Sequence, residues 1–286
     1  MKGRIIKGVG SFYDIMDEDK NITRTQAKGV FRNRKITPMV GDMVDFISDE
    51  DGSRITNIYP RTSELSRPPV ANATAGVIVC SVKNPDLAPV LLDKMLVNNQ
   101  KSGLETTICF NKCDLADEEF LGKLRDDYKD CGAELIFVSA ANDSLENIKE
   151  LIRGHITVFS GVSGAGKSTI LSKVSGKELQ VGGISEKSKR GKHTTRHVEL
   201  IDVGEDFILD TPGFSDLEIS DMAPEELWRY YPEFRNHSDC KFSTCLHLKE
   251  PDCNVKNAVK EGLISKLRYK NYRYLYEELL KTYKKY

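Results

Sequence analysis

One run of eight residues limits this chain more than any other: Gly161-Val162-Ser163-Gly164-Ala165-Gly166-Lys167-Ser168 fits the pattern G-x-x-x-x-G-K-[S/T]. Apolar Ile156 to Phe159 precedes it, and a helical stretch through Thr169 to about Val174 follows, so the run joins a strand to a helix. Glycines let the loop amides face phosphate oxygens, Lys167 brings charge to the β and γ oxygens, and Ser168 offers a hydroxyl to Mg²⁺. A strand feeding a phosphate loop and then a helix belongs to an α/β domain with a mainly parallel sheet. The flanking sequence agrees. Apolar runs at Val77 to Cys80, Thr106 to Phe110, Leu135 to Val138 and Phe207 to Leu209 alternate with helical stretches at Val90 to Asn99, Glu118 to Lys129 and Leu145 to Ile152.

The base is chosen elsewhere. Asn111-Lys112-Cys113-Asp114 follows the Thr106–Phe110 strand as an N-K-x-D element. A carboxylate at Asp114 accepts from guanine N1–H and the exocyclic amine, a pair that adenine lacks. Asn111 is placed to bridge to the phosphate loop, and the stem of Lys112 to lie against the base. Ser139-Ala140, after the next strand, is placed to present a backbone amide to guanine O6. Asp210-Thr211-Pro212-Gly213 gives a D-x-P-G in which Asp210 holds Mg²⁺ through water and the Gly213 amide meets the γ-phosphate. Between loop and D-x-P-G, residues 185–197 carry five basic side chains and one acidic, with Thr194 or Thr195 the candidate to close on Mg²⁺ and γ-phosphate. Base-reading elements precede phosphate-reading elements, which makes the domain a circularly permuted P-loop GTPase.

The first 65 or so residues read as short strands separated by Gly, Asn and Asp turns, an OB-like β-barrel that an SH3-like barrel matches nearly as well. Pro60 and Pro68-Pro69 then mark a linker. The expected organisation is multidomain: residues 1–68 the barrel, 69–222 the permuted GTPase domain, and 223–286 a mainly helical zinc-binding domain.

Cys240, Cys245, His247 and Cys253 give C-x₄-C-x-H-x₅-C, four ligands of the kinds tetrahedral Zn²⁺ prefers, with no place left for a substrate. A structural ion there would hold a segment too short to bury its own core. His237 lies outside the pattern. Beyond Cys253 the chain reads helical, with Tyr269, Tyr272, Tyr274 and Tyr276 interleaved with Lys270 and Arg273. That stripe suits stacking on RNA and suits equally a helix packed on the GTPase domain.

Composition adds exclusions. Hydrophobic residues make up 39% of the 286, enough for real cores, and no apolar run approaches the roughly 20 residues a membrane helix needs. A soluble cytoplasmic protein with no membrane partner is expected. Forty-two Lys and Arg against 43 Asp and Glu give no net bias, but residues 1–40 carry nine basic against four acidic, and 254–286 nine against three. Basic ends on a neutral chain point weakly to a polyanion.

With these motifs in this order, the chain resembles the ribosome small-subunit-dependent GTPase A family of circularly permuted bacterial GTPases, over essentially its whole length. The resemblance implies a GTP hydrolase that binds the small ribosomal subunit and its rRNA, acts late in subunit maturation, and is stimulated by the subunit; a monomer is expected. Phe214 stands where many GTPases carry a water-orienting Gln, and a phenyl ring cannot orient water. His193 is the candidate replacement; an RNA-contacting or merely solvated His193 is the other reading. Gly164 replaces the Asn of potassium-dependent relatives, so no catalytic K⁺ is expected. The alternative function is a GTP-regulated RNA-binding assembly factor with negligible turnover.

Overall fold

The computed structural model describes residues 1–27, 37–50, 52–66, 69–177, 198–204, 206–210, 219 and 222–283. The chain divides into two compact units, one built from 1–76, 145–159 and 168–212, the other from 77–144, 160–167 and 213–286.

In the first unit, strands β1 (Lys2–Val9), β2 (Phe12–Asp17), β3 (Ile22–Ala27), β4 (Met43–Asp49) and β5 (Gly52–Ile58) close a barrel in the order β1-β2-β3-β5-β4. β1 pairs with both β2 and β4, and β3 runs parallel to β5. This is the five-stranded Greek-key order of an OB-type barrel. The side chains of Ile5, Ile15, Val44, Phe46 and Ile55 fill the interior. The stretch from Arg4 to Ile15, which reads as one partly alternating run, is two strands turned at Gly10, whose φ of 61° suits glycine. The polar strand β3, Ile-Thr-Arg-Thr-Gln-Ala, carries too little hydrophobic alternation to stand out in sequence. The extended-looking run Gly29 to Ile36 lies outside the described residues.

The proline-marked linker proves to be structured. Short strands β6 (Glu64–Ser66) and β7 (Pro69–Ala71) pair antiparallel, and Val70 is fully buried. Arg61 grips the buried Asp42 carboxylate at both oxygens, 2.7 and 2.8 Å, and Gly41 lies so close to Ala71 that no side chain fits there. The same unit holds β11 (Ile156–Gly161) up to Phe159, β12 (Leu200–Asp202) and β13 (Phe207–Asp210), in the order β11-β13-β12 with only β12 antiparallel. Lys7 on β1 meets Glu199 just before β12 at 2.6 Å.

In the second unit the parallel strands β8 (Ala75–Ser81), β9 (Glu105–Asn111) and β10 (Glu134–Phe137) lie in the order β10-β9-β8. β8 is buried along its whole length, as expected of a strand covered on both faces. Helices α1 (Pro89–Lys101) and α2 (Glu118–Tyr128) pack Leu92, Met95, Leu96, Leu121, Leu124 and Tyr128 onto Ile78, Ile108 and Phe110. α3 (Glu146–Ile152) and α4 (Lys167–Ser175), which belong to the first unit except for Lys167, fall where helices are expected.

The C-terminal segment opens with a 3₁₀ turn (Pro224–Tyr230) and a one-turn helix α5 (Pro232–Arg235). The helical run after Cys253 is two helices, α6 (Asn254–Glu261) and α7 (Lys266–Tyr283). Gly262 ends the first in a left-handed conformation, φ 80°. Ser265 caps the second through the Leu267 and Arg268 amides while its own hydroxyl donates to Asp127 at 2.6 Å. Tyr231, Phe234, Val255, Tyr272, Leu275 and Leu279 form the core of this segment.

Candidate nucleotide and metal sites

The candidate base-reading elements sit at the ends of two adjacent parallel strands. β9 ends in Asn111, which is 2% exposed. Its side chain spends both polar atoms inside the protein: Nδ2 donates to the Ala165 carbonyl of the phosphate loop at 2.8 Å, and Oδ1 accepts the Ala140 amide at 2.8 Å. One buried amide thereby ties the phosphate loop to the Ser139-Ala140 turn. Gly166 passes so close to Asn111 that a Cβ would fall nearer than 3.0 Å to Nδ2, and its φ of 93° also excludes ordinary side chains. Gly161 is equally constrained by the Val79 carbonyl of β8.

Lys112 adopts a left-handed backbone, φ 63°, and starts the turn that lifts Asp114 into solvent. Its ammonium donates to the Gly164 carbonyl at 2.8 Å and to the Asn84 carbonyl, which fixes the aliphatic stem beside the loop. Cys113 points inward: its thiol donates to Phe110 O at 3.2 Å, and burial pushes it up to about 11. The side chain of Cys113 is therefore packing, and its amide donates to Val138 O at 3.1 Å to hold the turn.

Ser139 and Ala140 are both buried. The Ala140 amide donates to Asn111 Oδ1. Val162, Ser163 and Gly164 form the open part of the phosphate loop, Ala165 is buried, and Lys167 is 8% exposed. Ser168 and Thr169 begin α4 within the first unit, where Asp210 ends β13, half-buried. His193, Thr194, Thr195, Gly213 and Phe214 lie outside the described residues. Two contributors escaped the sequence reading: Asn84, whose carbonyl holds Lys112, and Asp143, whose carboxylate accepts the Ser139 amide at 2.6 Å. Neither belongs to a recognisable motif.

The cysteine-histidine cluster is assembled. The four ligand atoms of Cys240, Cys245, His247 and Cys253 lie within 4.8 Å of one another. His247 Nδ1 is 3.6, 3.5 and 3.4 Å from the sulfurs of Cys240, Cys245 and Cys253, and the first and last sulfurs are 3.9 Å apart. Tetrahedral zinc with ordinary bond lengths needs ligand edges of about 3.6 Å for N···S and about 3.8 Å for S···S, so the cluster fits zinc binding. Burial lowers the His247 pKa, which keeps the imidazole neutral as a ligand must be. Burial also pushes the Cys245 thiol up to about 12, so ionisation there calls for a cation.

The surroundings orient these ligands. Glu250 accepts the Leu246 and Leu248 amides at 2.9 and 2.8 Å, bracing the loop around His247. Tyr269 and Tyr272 on α7 donate to the His247 and Leu246 carbonyls at 2.8 and 2.5 Å. Two of the interleaved tyrosines thus seat the metal loop, and Tyr276 is half-buried, which favours the packing reading for that face. Lys270, Arg273 and Tyr274 remain on the solvent side, Tyr274 at 54% exposure.

The segment is joined to the base-site helices by charges that sequence alone concealed. Arg268 on α7, 1% exposed, pairs with Asp93 of α1 at 2.6 Å and Glu233 of α5 at 2.7 Å. Its guanidinium also lies over the Tyr231 ring, 4.4 Å from the centroid. Burial raises the Asp93 pKa, and Arg268 opposes that rise.

A family model for the RsgA GTPase matches residues 58–220, and one for the RsgA N-terminal domain matches residues 2–55. The "Small ribosomal subunit biogenesis GTPase RsgA" of Clostridium botulinum (strain Hall) is 47% identical, across 100% of this chain and 99% of that one. Its namesake in Clostridium beijerinckii is 44% identical, across 99% of each. Among solved structures, YloQ, described as a circularly permuted GTPase, superposes with a TM-score of 0.80 at 35% identity, across 98% of this chain and 95% of that one. YjeQ from Thermotoga maritima gives 0.81 at 34% identity, across 98% of each. With the barrel order, the Asn111 junction and the Cys₃His cluster beside these matches, the chain belongs to the RsgA family of circularly permuted GTPases.

Proposed function

We propose that the protein binds and hydrolyses GTP and uses that cycle on the small ribosomal subunit, contacting its rRNA, during the subunit's biogenesis. The observation that carries the reading is the Asn111 side chain, which joins the phosphate loop to the base-reading turn through two 2.8 Å hydrogen bonds. Such a joint makes base identity and phosphate position one recognition event. Asp114 reads the guanine edge, Ala140 its O6, and the stem of Lys112 lies along the ring. The amides of Gly161 to Gly166 and the Lys167 ammonium take the phosphates.

Ser168 and, through water, Asp210 would hold Mg²⁺. When bound, the ion offsets charge on the β and γ oxygens. Thr194 or Thr195 would close on the same γ-phosphate, which the Gly213 amide would also meet. Phe214 cannot orient the attacking water, so His193 is assigned that duty, and loss of turnover without loss of GTP binding in His193→Ala is the expected sign of it. The Cys₃His cluster would hold one structural Zn²⁺. The exposed Lys270, Arg273 and Tyr274 offer cations and a ring to RNA.

Among the described residues no helix is long and apolar enough to cross a membrane. The proposed setting is the cytoplasm, where ribosomal subunits are assembled, with the protein acting as a monomer. The reading with negligible turnover is not favoured, since the relatives that match across the whole chain are named GTPases. Sedimentation through a sucrose gradient tests subunit binding. The protein is expected with small subunits when loaded with a non-hydrolysable GTP analogue and at the top of the gradient with GDP. Equal sedimentation in both states contradicts a nucleotide-driven cycle.

A further inference from the structure

We infer that Asp143 is a positioning residue that sets the one peptide plane through which this site reads the purine 6-carbonyl. The inference rests on the guanine reading above and deepens it. Asp143 lies beyond the Ser139-Ala140 turn and belongs to none of the nucleotide motifs.

The carboxylate Oδ2 of Asp143 accepts the Ser139 amide at 2.6 Å, the length of a charge-assisted bond. The backbone N–H of Asp143 donates to the Ser139 carbonyl at 2.8 Å, and that of Asn142 donates to the same carbonyl at 2.9 Å. The Asn142 side chain adds a bond to Ser139 Oγ at 3.0 Å. Ser139 is therefore held on both its donor and its acceptor.

A trans peptide is planar, so its C=O and the next N–H point in opposite directions. Fixing the Ser139 carbonyl by two amides fixes the Ala140 N–H on the far side of the same plane. That N–H points to Asn111 Oδ1 at 2.8 Å, toward the joint that connects base and phosphates. Without the Asp143 carboxylate, the Ser139 amide of the preceding peptide loses its acceptor, and the turn from 139 to 143 is closed by its backbone bonds alone. The plane they hold then tilts more easily, at the cost of the Ala140 direction.

A nucleotide series separates this role from a general structural one. GTP and ITP both carry the 6-carbonyl, whereas 2-aminopurine riboside triphosphate lacks it and keeps the phosphates and the exocyclic amine. Dissociation constants are measured for all three with the full chain. Asp143→Ala is expected to weaken GTP and ITP about tenfold, the worth of one charge-assisted bond, and to leave the 2-aminopurine nucleotide within about twofold of its unsubstituted value. Asp143→Asn keeps an acceptor without its charge. It is expected to lose about threefold for GTP and ITP only, and it carries the test if the alanine variant does not fold.

Equal weakening of all three nucleotides, or none for GTP, overturns the assignment. If the unsubstituted protein fails to prefer GTP over the 2-aminopurine nucleotide, the guanine reading itself falls and the assignment with it. If that preference stands and Asp143 does not alter it, only the assignment falls.

Discussion

The amide nitrogen of Asn111 occupies the space that a side chain at residue 166 would need. The phosphate loop and the base-reading strand are packed together so tightly that the second motif glycine is demanded by the first residue of the N-K-x-D element. Two motifs separated by a whole α/β unit are thus one object in space.

Gly166→Ala therefore strains the loop twice, at φ 93° and against Asn111. It is expected to cost about 1–3 kcal/mol of stability and at least a tenfold loss of GTP affinity. Denaturant unfolding and binding of a fluorescent GTP analogue read the two effects separately. Unchanged binding would mean that the loop in solution does not pack on Asn111.

Asp114→Asn replaces a double acceptor by a group with one acceptor and one donor. GTP affinity is expected to fall about 100-fold while xanthosine triphosphate, whose 2-oxo group suits the new donor, gains. Competition binding with the two nucleotides decides this, and GTP affinity that survives unchanged removes Asp114 from the base site.

Arg268→Met leaves Asp93 and Glu233 buried without their cation, and is expected to cost about 3–5 kcal/mol at neutral pH. The pH dependence has a definite sign. Burial places the folded-state Asp93 pKa above its unfolded value, so its favourable contribution is full below the unfolded value and is lost as pH rises through the folded one. Arg268 opposes that rise, so its removal moves the window upward. The variant should recover part of its stability between pH 7 and pH 5, measured by urea unfolding at both. A loss that is the same at the two pH values would show that Asp93 is not the strained group.

The metal cluster has a built-in reporter. Trp228, the single tryptophan, meets the His247 ring edge-on at 5.4 Å. One Zn²⁺ per chain is expected by elemental analysis, and stripping it with a chelator should shift the tryptophan emission to the red as the segment loosens. Cys245→Ser should bind no zinc and show the shifted emission from the outset. Zinc-free protein with the native spectrum would mean that the hydrophobic core around Phe234 and Tyr272 holds the segment unaided.

What the sequence made legible was the chemistry that depends on neighbours along the chain. The phosphate loop, the N-K-x-D turn, the Ser139-Ala140 turn and the C-x₄-C-x-H-x₅-C spacing each lie within one turn or one loop, so spacing alone places their atoms. The barrel was legible as a barrel, and its strand order settled which kind. Contacts between distant segments were not legible. Arg268 reads as one more cation in a basic, tyrosine-rich helix, yet it is buried between Asp93 and Glu233. Tyr269 and Tyr272 read as possible stacking platforms, but their hydroxyls brace the metal loop. Gly262 divides one apparent helix in two: Val255, Val259, Leu263 and Leu267 keep a four-residue spacing through its left-handed turn, yet Leu263 is exposed.

The central claim is a GTPase cycle that runs on the small ribosomal subunit, and GTP turnover under three conditions tests it most directly. The purified protein is assayed alone, with small subunits and with large subunits. Slow turnover alone, strong stimulation by small subunits and none by large subunits is the predicted result. Equal, slow turnover in all three would contradict it, leaving GTP as a bound signal and not as a fuel.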